Sequence, residues 1–89
     1  MRSKTTRQFR ENLASLPEAV RHQARSAYRT FRDNPHHPGL QFKRVHPTLP
    51  IYSARVSSDY RAVGVRNSGE MVWFFIGSHA EYEHLLKRL

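Results

Sequence analysis

Hydrophobic residues in the first third of the chain recur at the spacing of an α-helix and predict two consecutive helices. Pro17 and Glu18 indicate where the second helix starts, because proline suits the first helical turn and a carboxylate stabilises the positive end of the helix dipole. This helix is predicted to run from Pro17 to Asp33, and Asn34-Pro35 ends it. The apolar positions are Phe9, Leu13 and Leu16 in the first helix and Val20, Ala24, Ala27, Tyr28 and Phe31 in the second.

The second half of the chain changes to a period of two residues, which is the pattern of β-strands with two different faces. The connections between these segments are too short for parallel crossovers, so an antiparallel meander is expected. The last segment is apolar on both faces, which predicts a central strand covered on both sides. The four segments are Leu40–His46, Ile51–Val56, Tyr60–Arg66 and Glu70–Gly77.

A short C-terminal helix is predicted after Gly77, because Ser78 and Glu81 have the spacing of a capping box. A segment around Ser3–Thr6 is a further candidate strand. The elements together predict an α+β fold in which two N-terminal helices pack on a four-stranded antiparallel sheet and the C-terminal helix lies near its edge. No repeat or linker interrupts the chain, so residues 1–89 are expected to form one domain.

The length and composition of the chain exclude several classes of protein. A domain of 89 residues buries only roughly 60 to 65% of its unfolded surface, so a partner chain would add stability to a thin core. The absence of cysteine excludes disulfides and thiolate metal sites and fits a reducing compartment. The longest apolar run, Met71–Gly77, is too short to span a bilayer, and the N-terminus has no signal-peptide core. A soluble, cytoplasmic protein without membrane contact is therefore expected.

The charge of the chain points to a polyanionic partner, either a nucleic acid or an acidic protein. Fifteen lysines and arginines against seven acidic residues give a net charge of +8. Most of the excess lies in residues 1–44, and four arginines recur along the predicted second helix, namely Arg21, Arg25, Arg29 and Arg32. The sequence leaves open whether this arginine ridge is a solvated helix face or a binding surface.

Two arginines on neighbouring predicted strands, with a histidine and a tyrosine after the last strand, are candidates for chemistry at a phosphate: Arg55, Arg61, His79 and Tyr82. Cleavage of RNA without a metal needs a base for the 2′-hydroxyl, an acid for the leaving 5′-oxygen and fixed positive charge. Guanidinium binds phosphate oxygens bidentately, and imidazole exchanges protons near neutral pH. No histidine spacing is typical of a metal site, so neither a metal nor a cofactor is expected.

Each of these residues also has a purely structural interpretation. His79 can serve as a helix-start or surface residue, and Tyr82 can pack its ring on the sheet while its hydroxyl finds a hydrogen-bond partner. The two arginines can pair across strands with Asp59 or Glu70.

Several short motifs resemble the RelE/ParE superfamily of bacterial toxins, and in particular its RelE-like branch: Leu16-Pro17, Asn34-Pro35, Leu40-Gln41-Phe42-Lys43, Tyr60-Arg61 and Ile76-Gly77-Ser78-His79. The resemblance implies the toxin of a type II toxin–antitoxin system, an mRNA interferase that cuts messenger RNA on the ribosome without a metal. Carried over by position, it implies that Arg55 and Arg61 hold the scissile phosphate and that His79 and Tyr82 exchange protons.

The same resemblance implies that Lys43 and Arg44 contact the RNA backbone, and Arg21 and Arg25 of the ridge are further candidates for RNA binding. Two other functions stay open. A toxin of the ParE type would bind DNA gyrase and have no nuclease activity, and a non-catalytic module would bind nucleic acid through the ridge. If the protein is a toxin of either the RelE type or the ParE type, the expected partner is an acidic, partly disordered antitoxin that folds onto the basic surface.

Overall fold

The computed structural model of the protein describes all of residues 1–89, which form three helices and a five-stranded mixed sheet. The predicted α+β class is confirmed, and the sheet has one strand more than predicted. Helices α1, α2 and α3 span Arg7–Ala14, Glu18–Asp33 and His79–Arg88. Strands β1 to β5 span Arg2–Thr5, Lys43–Arg44, Ile51–Ser57, Tyr60–Asn67 and Glu70–Ser78.

The additional strand is β1, which lies at one edge of a sheet with the order β1-β5-β4-β3-β2. It runs parallel to β5, whereas β2 to β5 form the predicted antiparallel meander. Arg2 and Lys4 reach the carboxylate of Glu70 at 3.3 and 3.5 Å, so opposite charges help to hold this edge. The four residues of β1 are all polar, and for this reason the sequence offered no alternating apolar pattern there.

Strand β2 is much shorter than the predicted segment Leu40–His46. Pro38–Leu40 form a single 3-10 turn, and Gln41 follows in the left-handed region with φ 46°. Backbone in that conformation cannot continue a strand, so extended pairing begins only at Lys43. β2 nevertheless pairs with β3 and closes the second edge of the sheet.

Side chains cap the N-termini of two of the three helices, α1 and α3. The hydroxyl of Thr6 accepts a hydrogen bond from the Phe9 N–H at the start of α1. The predicted capping box of α3 is confirmed, because Ser78 accepts from the Glu81 N–H at 3.2 Å while Glu81 accepts from the Ser78 N–H at 2.8 Å. The cap therefore fixes the angle at which the chain leaves β5.

The hydrophobic core lies on both faces of the sheet. On one face α1 packs on β5 and α2 on β3, over a cluster that includes Phe31, Trp73 and Ile76. On the other face α3 covers a smaller cluster of Ile51, Val63 and Tyr82. Strand β5 contributes to both clusters, as its two apolar faces predicted. No helix combines the length and the hydropathy that crossing a bilayer requires.

Candidate functional site

The turn between β3 and β4 brings the predicted arginines and the start of α3 to one end of the sheet. Arg55 pairs with Arg61 across the two strands, and Arg61 pairs in turn with Gly77 at the end of β5. These three positions therefore form one row across three strands. The register of β3 against β4 shifts between Arg55 and Ser57, so a β-bulge interrupts the ladder next to this row.

Arg61 is held in place by the backbone of this turn. Its Nη1 donates to the carbonyl of Ser57 at 2.6 Å and to that of Tyr60 at 3.0 Å, with a longer contact of 3.4 Å to the carbonyl of Ser58. No protein atom accepts a hydrogen bond from its Nε or Nη2. These two nitrogens form the edge of the guanidinium whose geometry matches two oxygens of a phosphate, and the hydrogen bonds of Nη1 fix the orientation of that edge.

His79, the first residue of α3, is tied to the same turn. Its backbone N–H donates to the Asp59 carbonyl at 2.7 Å, which connects the helix start directly to the β3–β4 turn. The imidazole is about half exposed, and its Nε2 lies 2.9 Å from Oε1 of Glu83, one turn along the helix. When Nε2 carries the proton in this contact, Nδ1 is the unprotonated nitrogen and can accept a proton.

Tyr82 occupies a different environment from His79, although their ring centroids are only 5.7 Å apart. Its side chain is buried in the cluster beneath α3, and its hydroxyl donates to the hydroxyl of Ser53 at 3.2 Å. Ser53 is itself buried on β3. The structure therefore places the imidazole in solvent and the phenol in the core.

Arg55 lies between the row of Arg61 and the side of the sheet that the helices α1 and α2 cover. Beyond the end of β2, strand β3 is the edge of the sheet, and the bulge disturbs the alternation of its side chains there. Arg55 lines an apolar groove beneath α1 and α2 and a neighbouring polar cleft beside α2. It therefore connects the row of Arg61 to the helix side of the sheet.

The four residues predicted to contact RNA differ in how freely they can do so. Lys43 is exposed and pairs in register with Ser53, two residues along β3 from Arg55. Arg44 bonds through its guanidinium to the carbonyls of the loop that follows it, those of His46, Thr48 and Leu49.

On the arginine ridge of α2, Arg21 donates to the carbonyl of Leu16. Arg32 bonds the carboxylate of Asp33, and this hydrogen bond and charge raise the pKa of Arg32. Arg25 and Arg29 make no hydrogen bond or ion pair within the protein, and both line the apolar groove. The two arginines of the ridge that have no partner within the protein, Arg25 and Arg29, therefore both lie at that groove.

Two features of the site escaped the sequence-based predictions. Glu83 has a recognisable signal, because it lies four residues after His79 and so shares its helix face. The carbonyls that hold Arg61 have no sequence signal, because every type of residue carries a backbone carbonyl. No group of three or more His, Asp and Glu side chains is arranged to hold a metal ion.

Comparison with known proteins agrees with this architecture. Residues 18–84 match the family model of the ParE-like toxin domain. No curated protein matches the chain.

Several solved structures share the fold at low sequence identity. A chain of the RelB–RelE antitoxin–toxin complex from Methanococcus jannaschii is similar with a TM-score of 0.74 and 12% identity over 92% of this chain and 96% of that one. The archaeal RelE–RelB complex from Pyrococcus horikoshii gives a TM-score of 0.69 and 21% identity over 86% and 92% of the two chains. YafQ from E. coli is similar with a TM-score of 0.69 and 13% identity over 92% of this chain and 98% of that one.

Proposed function

Because this chain belongs to the ParE-like toxin family of the RelE/ParE superfamily, we propose that it is a toxin that acts as a metal-independent endoribonuclease on messenger RNA. The observation that carries this proposal is the state of Arg61. Its guanidinium is fixed by the carbonyls of the β3–β4 turn, its phosphate-binding edge is free, and the same turn anchors His79.

In the proposed complex, Nε and Nη2 of Arg61 bind two non-bridging oxygens of the scissile phosphate. An oriented guanidinium can stabilise the charge that develops on these oxygens without reorganising during the reaction. Arg55, its cross-strand neighbour, adds positive charge on one side of the phosphate. Lys43 is exposed next to β3 and is assigned to a neighbouring phosphate of the RNA, with Arg44, Arg21 and Arg25 further from the reacting group.

The proton transfers are assigned mainly to His79. Its Nδ1 takes the proton of the 2′-hydroxyl, the 2′-oxygen forms a bond to phosphorus, and the bond from phosphorus to the 5′-oxygen breaks. The leaving 5′-oxygen is assigned a proton from water, because the hydroxyl of Tyr82 is buried and donates to Ser53. The products are a 2′,3′-cyclic phosphate and a 5′-hydroxyl, and the chemistry requires no metal.

Glu83 is assigned a positioning role in this scheme. By accepting the proton on Nε2, it fixes the tautomer in which Nδ1 is the base and stabilises the imidazolium that forms. Carboxylates play this part for the histidine of Ser–His–Asp triads.

The test is to map the 5′ ends of messenger RNA after adding the purified protein to a translation extract, with and without a chelator. We expect cutting that the chelator leaves intact and that Arg61→Ala abolishes. Arg66→Ala is the matched control, because Arg66 lies on the same strand but over the ring of Tyr52, away from the site.

Arg61 also holds the turn, so the melting temperature of each variant must be measured beside its activity. Arg61→Lys keeps a positive charge but lacks the second nitrogen of the phosphate-binding edge, and we expect it to be folded and at least about 100-fold slower. Unchanged cutting by a folded Arg61→Lys or His79→Ala variant would contradict the proposed site.

In the solvent-facing site the only imidazole is that of His79, and the neighbouring Glu83 is assigned to position it, so no second group is assigned to protonate the leaving oxygen. This favours a second candidate function. A toxin that binds DNA gyrase needs no proton transfer and could use the same basic surface. Inhibition of supercoiling with messenger RNA left intact would support this alternative. Binding of nucleic acid that depends on Arg25 and Arg29 alone, without either activity, would indicate a non-catalytic module.

We also propose that the protein is neutralised by an acidic antitoxin. Two of the similar solved structures are of toxins with their antitoxins, and the net charge of +8 favours an acidic partner. The expected result is a higher melting temperature when the product of the adjacent gene is added. An unchanged melting temperature and unchanged cutting would contradict this assignment.

A further inference from the structure

The polar cleft beside α2 is bounded by that helix, by the 3-10 turn that precedes β2 and by β3. It has a volume of about 250 Å³. Pockets that enclose a whole drug-sized molecule measure roughly 300 to 1,000 Å³, so this cleft suits a smaller group. Ala27, Leu40 and Val56 contribute alkyl surface to its lining. One face of a small planar ligand can lie against these side chains.

The hydrogen-bonding groups of the cleft are uncharged apart from one arginine, and none is acidic. The side chains of Gln23 and Ser26 make no hydrogen bond within the protein and supply both donors and acceptors. Nδ1 of His37 accepts from the Gly39 N–H at 3.0 Å, so the neutral ring carries its proton on Nε2, which can donate. The cleft therefore matches a ligand whose edge carries several donors and acceptors.

Arg55 is the charged member of the cleft. It is half-buried, and its guanidinium has no hydrogen bond or ion pair within the protein, whereas that of Arg61 is bonded to three carbonyls. A partly desolvated charge without a partner is unfavourable and points to an anionic ligand. Arg55 also pairs in register with Arg61, and the Cα atoms of such a pair lie about 4.5 to 5.5 Å apart. The cleft is therefore contiguous with the row that is assigned to the scissile phosphate.

We propose that the polar cleft is a subsite for one nucleotide of the RNA next to the bond that is cut, and that it sets the base preference of the enzyme. The base lies against the alkyl surface, its edge bonds to Gln23 and Ser26, and its phosphate binds Arg55. The identity of the substrate rests on the proposed function, whereas the class of ligand rests on the cleft itself. An acidic protein segment is disfavoured, because an amide and a hydroxyl match the edge of a base better than they match carboxylates.

The first experiment measures binding without any cutting. The full chain labelled with ¹⁵N is titrated with the four ribonucleoside 5′-monophosphates and, separately, with inorganic phosphate, and amide chemical shifts report where each binds. We expect the nucleotides to shift the amides of residues 23–30 and 37–40, with affinities that differ at least about five-fold among the bases. Equal shifts with inorganic phosphate would indicate an anion site without base recognition and overturn the proposal.

A pair of substitutions locates the binding. Gln23→Ala with Ser26→Ala removes an amide and a hydroxyl at exposed helix positions where alanine is favourable, so both variants should fold, and the melting temperature checks this. We expect the pair to weaken binding of the preferred nucleotide at least about ten-fold and to remove the difference among bases.

The matched control is Gln8→Ala with Ser15→Ala. Both positions are exposed, and neither lines the polar cleft or the apolar groove. This control should bind the nucleotides as the wild type does. Equal binding by the two double variants would overturn the proposal.

The second experiment relates binding to cutting. In 5′-end mapping, the base next to the cuts should be the base whose mononucleotide binds most tightly, and the Gln23→Ala, Ser26→Ala variant should cut with a reduced preference for it. If this variant loses nucleotide binding and keeps the preference, the cleft takes a free nucleotide and the proposed RNA subsite is wrong.

The outcomes for the cleft and for the nuclease are separable, because nucleotide binding is also measured with the Arg61→Ala variant, in which cutting is abolished. Base-selective binding in the cleft of a protein that never cuts RNA would contradict the nuclease and leave the nucleotide site standing. Cutting by a protein whose cleft binds no nucleotide would overturn the subsite alone. Shifts of the cleft amides by an acidic peptide, with none by nucleotides, would identify a protein as the occupant and overturn it as well.

Discussion

Replacement of Tyr82 by phenylalanine distinguishes the buried phenol from a catalytic one. The substitution keeps the ring in the cluster beneath α3 and removes the donor of the 3.2 Å hydrogen bond to Ser53. Ser53 is only 2% exposed, and every buried side-chain oxygen and nitrogen of the protein has a partner. The variant therefore leaves one buried hydroxyl without an acceptor or donor.

The expected loss in the free energy of unfolding follows from this hydrogen bond. A buried polar group without a partner costs about 1 to 3 kcal/mol, so Tyr82→Phe should lower the free energy of unfolding by roughly that amount. For a domain of this size, 1 kcal/mol corresponds to a shift in Tm of about 4 to 8 °C. Ser53→Ala should have a similar effect, because it removes the partner of the buried phenol.

A double-mutant cycle completes the test. Combining Tyr82→Phe with Ser53→Ala removes both hydroxyls, so the double variant should be less destabilised than the sum of the two single variants. Urea denaturation gives the free energies, and 5′-end mapping at a temperature where all variants are folded gives the cutting rates. We expect those rates to stay within about two-fold of the wild type, since general acid–base groups contribute about 100-fold or more. A rate about 100-fold lower in Tyr82→Phe with an unchanged Tm would refute the structural role and assign the phenol to the chemistry.

Three further predictions concern positions with a defined environment. Glu83→Ala should slow cutting about ten-fold, whereas Glu83→Gln should restore most of the rate because its amide oxygen still accepts from Nε2 of His79; a Gln variant as slow as Ala would contradict the positioning role. Gly64→Ala should destabilise the fold by about 1 to 3 kcal/mol, because a Cβ there would lie 2.8 Å from the carbonyl of Val72, and a thermal melt equal to the wild type would contradict it. Glu70→Gln weakens the two ion pairs that hold β1, and since both partners are exposed we expect a loss of less than about 1 kcal/mol, which urea titrations at low and high salt should show to be salt-dependent.

The sequence predicted best what is encoded locally. The capping box of Ser78 and Glu81 needs only two residues three positions apart, and the apolar faces of α2 and β5 are periodic within one element. The pairing of β1 with β5 joins residues about 70 positions apart and depends on where α1 and α2 carry the chain. No local pattern contains that information.

The candidate site shows the same division between local and non-local information. Residue types and strand ends made Arg61 and His79 candidates, but they could not separate the environments of His79 and Tyr82, which lie three residues apart on α3. The difference arises from the rotation of α3 over the sheet, which turns Tyr82 towards Ser53 and His79 towards Glu83. Helix rotation depends on tertiary packing, whereas periodicity shows which residues share a helix face but not the direction in which that face points.

The anchoring of Arg61 links the stability of the sheet to the proposed chemistry. An unrestrained arginine has about 2 kcal/mol of rotamer entropy to lose when it binds a phosphate. The carbonyls of Ser57 and Tyr60 have already restricted Arg61 during folding, so less of this cost falls on binding. Because the anchors are backbone groups, the side chains of the turn can change while the guanidinium keeps its orientation. The β3–β4 turn can therefore vary in sequence as long as its backbone shape and Arg61 are kept.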